Sequence, residues 1–378
     1  MGLLRFLLAL AVAGGHTASS FGFTAAWIFP GSYAVQIFYI ISGFVMAMIL
    51  NEKYADTPQG NWIFYTNRAA KIFAPYLAIL AVTVAVCLLS KAIIGDALSL
   101  EVWFSEARSM TWPTWAYALL TNALIVGQEW NFLLIYRGGS LFYSLQAYAE
   151  PPIGSQFTVI VPAWTLSIEI LFYVIAPFIV RRHVLLIAGL AFASYLCRFK
   201  AYHLGYYSEA TNYRFFPFEL SLFLYGALCF RIGNLLPRLD AGWSAGIAAA
   251  MALTVVAMPS YFMKHPYQMY FIVGPLLPAL FDFSRKNGWD RSLGNLSFPL
   301  YLVHWPVMVI ALAVVRAIQP GPPGAIAAYP ILAVMTSIAA SVLINRYVVK
   351  PVDEWRQARV RSRAGAAGID ERSTIIVT

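Results

Sequence analysis

Long apolar runs separated by short polar connections dominate the chain. A window of about 19 residues finds ten runs that could cross the roughly 30 Å hydrocarbon core of a bilayer as helices. These predicted spans lie near residues 3–21, 32–50, 72–90, 164–181, 183–199, 215–233, 241–259, 267–284, 295–316 and 325–346. The pattern predicts an all-α, polytopic integral membrane protein of about ten transmembrane helices.

An eleventh segment, 116–136, is ambiguous because Asn122, Gln128 and Glu129 interrupt its apolar pattern. If this segment does not cross, most of the 26 Lys and Arg residues fall on the side of the amino terminus. If it crosses, the connection at Arg181 and all later basic connections change sides. Basic loops favour the cytoplasm, so we predict ten spans with both termini cytoplasmic.

Two regions lie outside this pattern of spans. Residues 91–163 form a large predicted external segment that is rich in Trp and Tyr. Its aromatic side chains either stack on sugar rings or lie in the membrane interface, where Trp and Tyr collect. We predict one membrane domain over residues 1–350, followed by a basic, disordered cytoplasmic tail over residues 351–378.

Composition excludes several classes of protein. The chain has 378 residues, of which 60% are hydrophobic and 11% are charged. Soluble domains carry about 25% charged residues, so a soluble fold is excluded. The net charge of +9 fits basic cytoplasmic loops, and we expect no nucleic-acid partner. All three cysteines lie in apolar runs, which argues against a disulfide framework and against a metal site.

Ionisable groups are costly inside a bilayer, so each one is a candidate functional residue. Arg5 and His16 lie in the first predicted span, about 16 Å apart along a helix. Arg5 is therefore expected near the cytoplasmic headgroups, and His16 beyond the middle of the membrane. Gly14 and Gly15 leave room for a ligand or another helix beside His16. A buried histidine suits a general base, although packing against a neighbouring carbonyl also explains it.

Two further groups lie in the second and third spans. Ser42 and Gly43 form a small pair that would allow close packing against the first span. Arg68 and Lys71 share one face of a helix start, where two cations suit the phosphates of a nucleotide such as coenzyme A. Simple anchoring at the cytoplasmic surface explains the same two cations.

The last candidates lie in the fourth and ninth spans. Glu169 follows Trp164 and Ser167 near the external start of its span, where a carboxylate could orient His16 or an acceptor hydroxyl. His304 is a second intramembrane histidine, two residues before Pro306.

Five motifs in this order resemble those of the acyltransferase-3 family of bacterial integral-membrane O-acyltransferases. The matching segments are Arg5-X10-His16, Val35–Phe44, Arg68-Ala-Ala-Lys71, Trp164-Thr-Leu-Ser167-Ile-Glu169 and Leu293–His304. Lys71 replaces the second arginine of its motif, which keeps the charge but loses the planar fork that binds phosphate. Gln36 stands where many members have an acidic residue. This variant is most similar to members that acetylate exopolysaccharides or O-antigens.

The resemblance implies an enzyme of the bacterial inner membrane with no metal and no permanently bound cofactor. Acyl-CoA is its co-substrate, with acetyl the family's default and succinyl an alternative, and its partner is a hydroxyl of a polysaccharide or glycolipid. The implied catalytic residues are His16 and Glu169, the acyl-CoA ligands are Arg5, Arg68 and Lys71, and the residues along the substrate path are Ser42, Gly43, Trp164, Ser167 and His304. A glycan transporter or flippase is the alternative function, and a structural membrane subunit is a third.

Overall fold

The protein is almost entirely helical in the computed structural model. The structure describes residues 1–23, 29–147, 152–206, 208–234, 242–243, 246–247, 249–250, 266–318 and 328–366. Its α-helices are α1 (Gly2–Ser20), α2 (Gly31–Glu52), α3 (Pro58–Ile94), α4 (Glu101–Glu106), α5 (Trp112–Leu124), α6 (Trp164–Ile179), α7 (Val184–His203), α8 (Phe216–Gly233), α9 (Pro266–Lys286), α10 (Gly288–Ile318), α11 (Ala328–Ile344) and α12 (Lys350–Ala366).

Short elements connect the helices. A two-stranded antiparallel sheet pairs β1 (Leu134–Arg137) with β2 (Ser140–Tyr143), so that Leu134 lies opposite Tyr143. The 3-10 turns are Leu98–Leu100, Gln128–Leu133, Gly154–Phe157 and Val161–Ala163, and the π-helical turns are Glu209–Tyr213 and Asn345–Val349.

The prediction of an all-α polytopic membrane protein is confirmed. Within the described residues, eight helical stretches are long and apolar enough to cross a membrane. They are α1, α2, α3, Val161–Ile179, α7, α8, α10 and Ala328–Arg359. The predicted span 267–284 forms the helix α9, which is not among these eight. The predicted span 241–259 lies mostly outside the described residues.

The ambiguous segment 116–136 is divided between several elements. Its helical part, α5, has 13 residues and is therefore about 20 Å long, too short for the hydrocarbon core. The chain then turns through Ile125, with φ 66°, and Gly127, with φ 91°. A 3-10 turn and β1 follow. The structure thus gives no membrane-crossing helix in this segment, as the ten-span prediction requires.

The helices α2 and α8 touch backbone to backbone in the centre of the protein. A Cβ atom added to Gly43 would lie 1.8 Å from the carbonyl oxygen of Phe223, and one added to Gly226 would lie 1.9 Å from that of Ile40. Small residues allow this approach, and close packing is what holds helices together in a bilayer. The sequence predicted that Gly43 packs against the first span. The structure corrects this, because the tight contact of Gly43 is with α8.

Hydrogen bonds connect several helix ends on one side of the bundle. The carboxylate of Asp290, at the start of α10, accepts hydrogen bonds from the backbone N–H groups of Gly2 and Leu3, both at 2.8 Å. A carboxylate suits the positive end of α1. Arg181, after α6, donates to the carbonyl oxygen of Leu50 at the end of α2, 3.0 Å away. We call this side, where α1 begins and α2 and α6 end, the basic end, and the opposite side the histidine end.

Residues 351–366 of the predicted disordered tail are helical, and residues 367–378 lie outside the described residues. Residues Lys350–Ala366 form α12, which continues from α11 through the turn Asn345–Val349 and packs on α3. Arg359 stacks over the ring of Trp355, 4.7 Å from its centroid. Side-chain pairs and tertiary packing stabilise this helix, although its polar composition alone predicts disorder.

Candidate active site

A cavity of about 130 Å³ lies between α1, α2, α3, α6 and α10. Five of the predicted site residues line it, namely Arg5, Ser42, Arg68, Lys71 and Glu169. The other lining residues are Val35, Phe38, Tyr39, Ile41, Val45, Met46, Ile72, Thr165, Leu166, Tyr173, Ser297, Phe298 and Tyr301. Residues from all five predicted motifs, from Arg5 to Tyr301, therefore meet at one mostly apolar cavity.

Three cations of this cavity have no carboxylate of their own. Among the described residues, no acid forms an ion pair with Arg5, Arg68 or Lys71. Arg68 is 8% exposed, and its guanidinium lies 5.9 and 5.8 Å from the ring centres of Phe64 and Tyr173. Like charges in a poorly solvated site repel one another, so an anionic ligand would stabilise the cluster.

Glu169 is held by two hydroxyl groups inside the cavity. The Ser42 hydroxyl donates to its carboxylate at 2.7 Å, and the Tyr173 hydroxyl donates to the same oxygen. The charge of Glu169 also acts on Arg5. The sequence predicted that Glu169 orients either His16 or an acceptor hydroxyl. In the structure its hydrogen bonds go to Ser42 and Tyr173, and a different residue contacts His16.

That residue is His304. The Nδ1 atom of His16 lies 3.0 Å from Nε2 of His304, and the two rings stack with their centroids 5.2 Å apart. Trp305 places its ring edge-on against His16, at 5.9 Å. His304 is fully buried, whereas His16 is partly exposed. A Cβ atom added to Gly15 would meet nothing within 4 Å, so the helix surface at Gly15 is open.

Tyr301 connects the histidine pair to the cavity. Its side chain lines the cavity, and its ring centroid lies 5.9 Å from that of His304. Its hydroxyl group lies 2.8 Å from the hydroxyl of Thr165 and donates to the carbonyl oxygen of Pro162 at 3.1 Å. Thus one aromatic side chain separates the cavity from the pair of His16 and His304.

Trp164 faces a cation at the histidine end. The guanidinium carbon of Arg214 lies 4.2 Å from the ring centre of Trp164 and 3.8 Å from that of Phe132. Arg214 also pairs with Glu209, and its charge acts on His16. In the sequence Arg214 is simply one of several basic residues in predicted external loops. Only the fold places it between two aromatic rings near His16.

Ser167 supports a loop rather than the cavity. Its hydroxyl oxygen accepts a hydrogen bond from the backbone N–H of Gly127 at 2.9 Å and also contacts the carboxyl group of Glu129. Glu129 is 5% exposed, and burial raises the pKa of its carboxyl group above the ordinary value of 4.5. Ser167 therefore holds the loop after α5 against the start of α6.

Comparisons with known proteins identify one family. A family model described as an acyltransferase domain, Acyl_transf_3, matches residues 1–346. No curated protein and no solved structure matches the chain. The matched range contains every cavity residue and both histidines of the pair.

Proposed function

The chain belongs to the acyltransferase-3 family and is a membrane acyltransferase, and from this premise we propose that it transfers an acetyl group from acetyl-CoA to a hydroxyl of a polysaccharide or glycolipid. We place this reaction in the bacterial inner membrane, with the donor arriving from the cytoplasm. The observation that carries the proposal is an apolar cavity lined by three cations that have no ion-pair partner among the described residues, with a histidine pair next to one of its lining residues, Tyr301.

The donor fits the basic end of the bundle. Coenzyme A carries several phosphate groups at one end and its thioester at the end of a thin pantetheine arm. Arg5, Arg68 and Lys71 would bind the phosphates, because they lack carboxylate partners among the described residues. Arg5 and His16 are about 16 Å apart along α1. The mostly apolar cavity extends from Arg5 to Tyr301, whose ring contacts His304, and it suits the end of the arm with a small acyl group.

The contact between the two histidines suits a base at His16. Nδ1 of His16 lies 3.0 Å from Nε2 of His304, and one of these two nitrogens must carry the shared proton. We assign this proton to Nδ1 of His16, so that Nε2 of His304 accepts it in a hydrogen bond. In that arrangement Nε2 of His16 has a free lone pair, as a general base requires.

The reaction then balances without further groups. Nε2 of His16 removes the proton from the acceptor hydroxyl, whose oxygen forms a bond to the thioester carbonyl carbon. The C–S bond breaks, and the proton on His16 passes to the departing thiolate of coenzyme A. If His16 instead carries the acyl group, the same Nε2 atom attacks the thioester carbonyl carbon, and the C–S bond breaks to release the thiolate of coenzyme A. The acceptor oxygen then attacks the acyl carbon, the C–N bond to His16 breaks, and the proton of the acceptor hydroxyl passes by way of Nε2 to the thiolate.

The acceptor fits the histidine end. His16 is partly exposed there, and the charge of Arg214, which lies over the buried rings of Trp164 and Phe132, acts on it. Glu169, Ser42 and Tyr173 form a hydrogen-bonded unit in the cavity. We assign to this unit the positioning of the acyl group or of the acceptor hydroxyl.

A labelled-donor assay tests the proposal against a transporter or flippase. Membranes containing the protein and membranes without it are incubated with acetyl-CoA labelled in the acetyl group, and glycan and lipid fractions are then counted. Label in the glycan or glycolipid fraction, present only with the protein and lost on mild alkaline ester cleavage, is the expected result. Movement of glycan across the membrane without incorporation of label would favour the transporter.

A further inference from the structure

The carboxy-terminal helix α12 places one more cation beside the basic end of the cavity. The charge of Arg356 acts on both Arg68 and Lys71, and that of Asp353 acts on Lys71 and Arg5. The family model ends at residue 346, so α12 (Lys350–Ala366) lies beyond the matched domain. From this position we propose that Arg356 of α12 is a phosphate ligand of acyl-CoA and completes the donor site formed by Arg5, Arg68 and Lys71.

The position of α12 suits this role. The stretch from Ala328 to Ala366, helical throughout, has a length of about 58 Å at 1.5 Å per residue, whereas the hydrocarbon core is about 30 Å thick. Its last part therefore extends past the core at the basic end. There α12 packs on α3, the helix that carries Arg68 and Lys71.

The side chain of Arg356 is not an ordinary surface cation. It is 12% exposed, and its Nε–H finds no partner among the described residues. Its Nη1 group pairs with Asp353 one turn earlier. A surface pair of this kind would leave both groups in water, where it contributes little. Here the charge of the guanidinium acts on two further cations, Arg68 and Lys71.

The local charges explain what the site would bind. Arg356, Arg68, Lys71 and Arg5 form a group of four cations, of which only Arg356 has an ion-pair partner in the described part of the chain. The carboxylate of Asp353 offsets part of this charge, and those of Glu169 and Asp290 also act on Arg5. A planar guanidinium with free N–H donors matches phosphate oxygens well. Arg356 would thereby supply the planar fork that is lost where Lys71 replaces an arginine.

This inference rests on the proposed function, because it assumes an acyl-CoA donor. A direct binding measurement separates the two. Purified protein in nanodiscs of phosphatidylcholine is titrated with coenzyme A and, separately, with pantetheine, which has the arm but no phosphate. The variants are Arg356→Met, Asp353→Asn and, as the control on the same helix, Lys350→Met, whose side chain is exposed. Thermal unfolding of each variant checks its folding.

We expect Arg356→Met to weaken coenzyme A binding by about tenfold or more, as loss of a hydrogen bond to a charged group does. Pantetheine binding should not change. Asp353→Asn should strengthen coenzyme A binding because it removes the competing carboxylate, and Lys350→Met should match the wild type.

Other outcomes distinguish failure of the inference about α12 from failure of the proposed function. If the wild type binds coenzyme A and Arg356→Met binds it equally well, the inference about α12 is overturned while the proposed function stands. The same holds if Arg356→Met alters only binding to vesicles of phosphatidylglycerol, because the ligand would then be a lipid headgroup. If the wild type binds no coenzyme A and transfers no acetyl label, the proposed function fails and the inference fails with it.

Discussion

His16 and His304 form a direct ring-to-ring contact, with 3.0 Å between Nδ1 of His16 and Nε2 of His304. The two residues are 288 positions apart in the chain, on the first and the tenth helix. One imidazole must donate the shared proton and the other must accept it. The contact therefore fixes which nitrogen of His16 is free to act on a substrate.

Removing the acceptor at position 304 should slow the reaction without weakening donor binding. In His304→Leu, Nδ1–H of His16 loses its acceptor, and we expect kcat to fall about 100-fold or more. His304→Gln offers an amide oxygen at the same place and should retain more activity than His304→Leu. Acetyl transfer and coenzyme A binding are measured on both variants. Full activity in His304→Leu would show that the contact is only structural.

Glu169 should stabilise the protein through the two hydroxyls that it accepts. In Glu169→Leu, the buried hydroxyls of Ser42 and Tyr173 lose their acceptor, which costs about 1–3 kcal/mol in the free energy of unfolding. Glu169→Gln keeps an accepting oxygen and should lose less. Thermal unfolding in detergent compares the two. Equal melting temperatures for Glu169→Leu and the wild type would contradict the hydrogen-bonded unit.

The backbone contact of α2 with α8 predicts a large effect of one methyl group. Gly43→Ala places a Cβ atom 1.8 Å from the carbonyl oxygen of Phe223, so the helices must separate, at a cost of about 1–3 kcal/mol or more. Gly189→Ala is the matched control, because a Cβ atom there meets nothing within 4 Å. Alanine in a helix interior should even stabilise it slightly. Equal stability of the two variants would rule out the close packing.

Glu129 should make stability depend on pH. Burial raises the pKa of its carboxyl group, so the folded protein holds this proton more tightly than the unfolded chain does. The contribution of this group to the free energy of unfolding therefore falls as pH rises from the ordinary carboxyl value of 4.5 to its raised value. Glu129→Gln removes this loss. Melting temperatures of the wild type and the variant, compared across that range, should diverge in favour of the variant as pH rises.

Local patterns in the sequence predicted the helices and the cation cluster well. Hydrophobic runs locate the membrane helices because a bilayer requires about 20 apolar residues per span. Arg5, Arg68 and Lys71 meet at one cavity, as their shared predicted chemistry suggested. Membrane spans and the charged residues inside them can be recognised from the sequence because their residue types alone identify them.

Local sequence patterns could not predict the contacts between helices that are distant in the chain. Nothing local indicates that His304 contacts His16 or that Glu169 binds Ser42, because these pairs depend on how the helices are arranged. Gly43 was predicted to be a packing residue, but its partner helix was predicted incorrectly for the same reason. Arg356 lies in a segment whose composition reads as disordered, and only its packing on α3 brings it beside Lys71.

The most direct test of the central claim is acetyl transfer by His16→Ala, with His203→Ala, an exposed histidine at the end of α7, as its control. Each purified variant is given labelled acetyl-CoA and the acceptor fraction, and its binding of coenzyme A is measured in parallel. We predict that His16→Ala binds coenzyme A like the wild type but transfers label at least about 100-fold more slowly, while His203→Ala retains full transfer. Transfer by His16→Ala at the wild-type rate would contradict the assignment of His16 as the base or the acyl carrier.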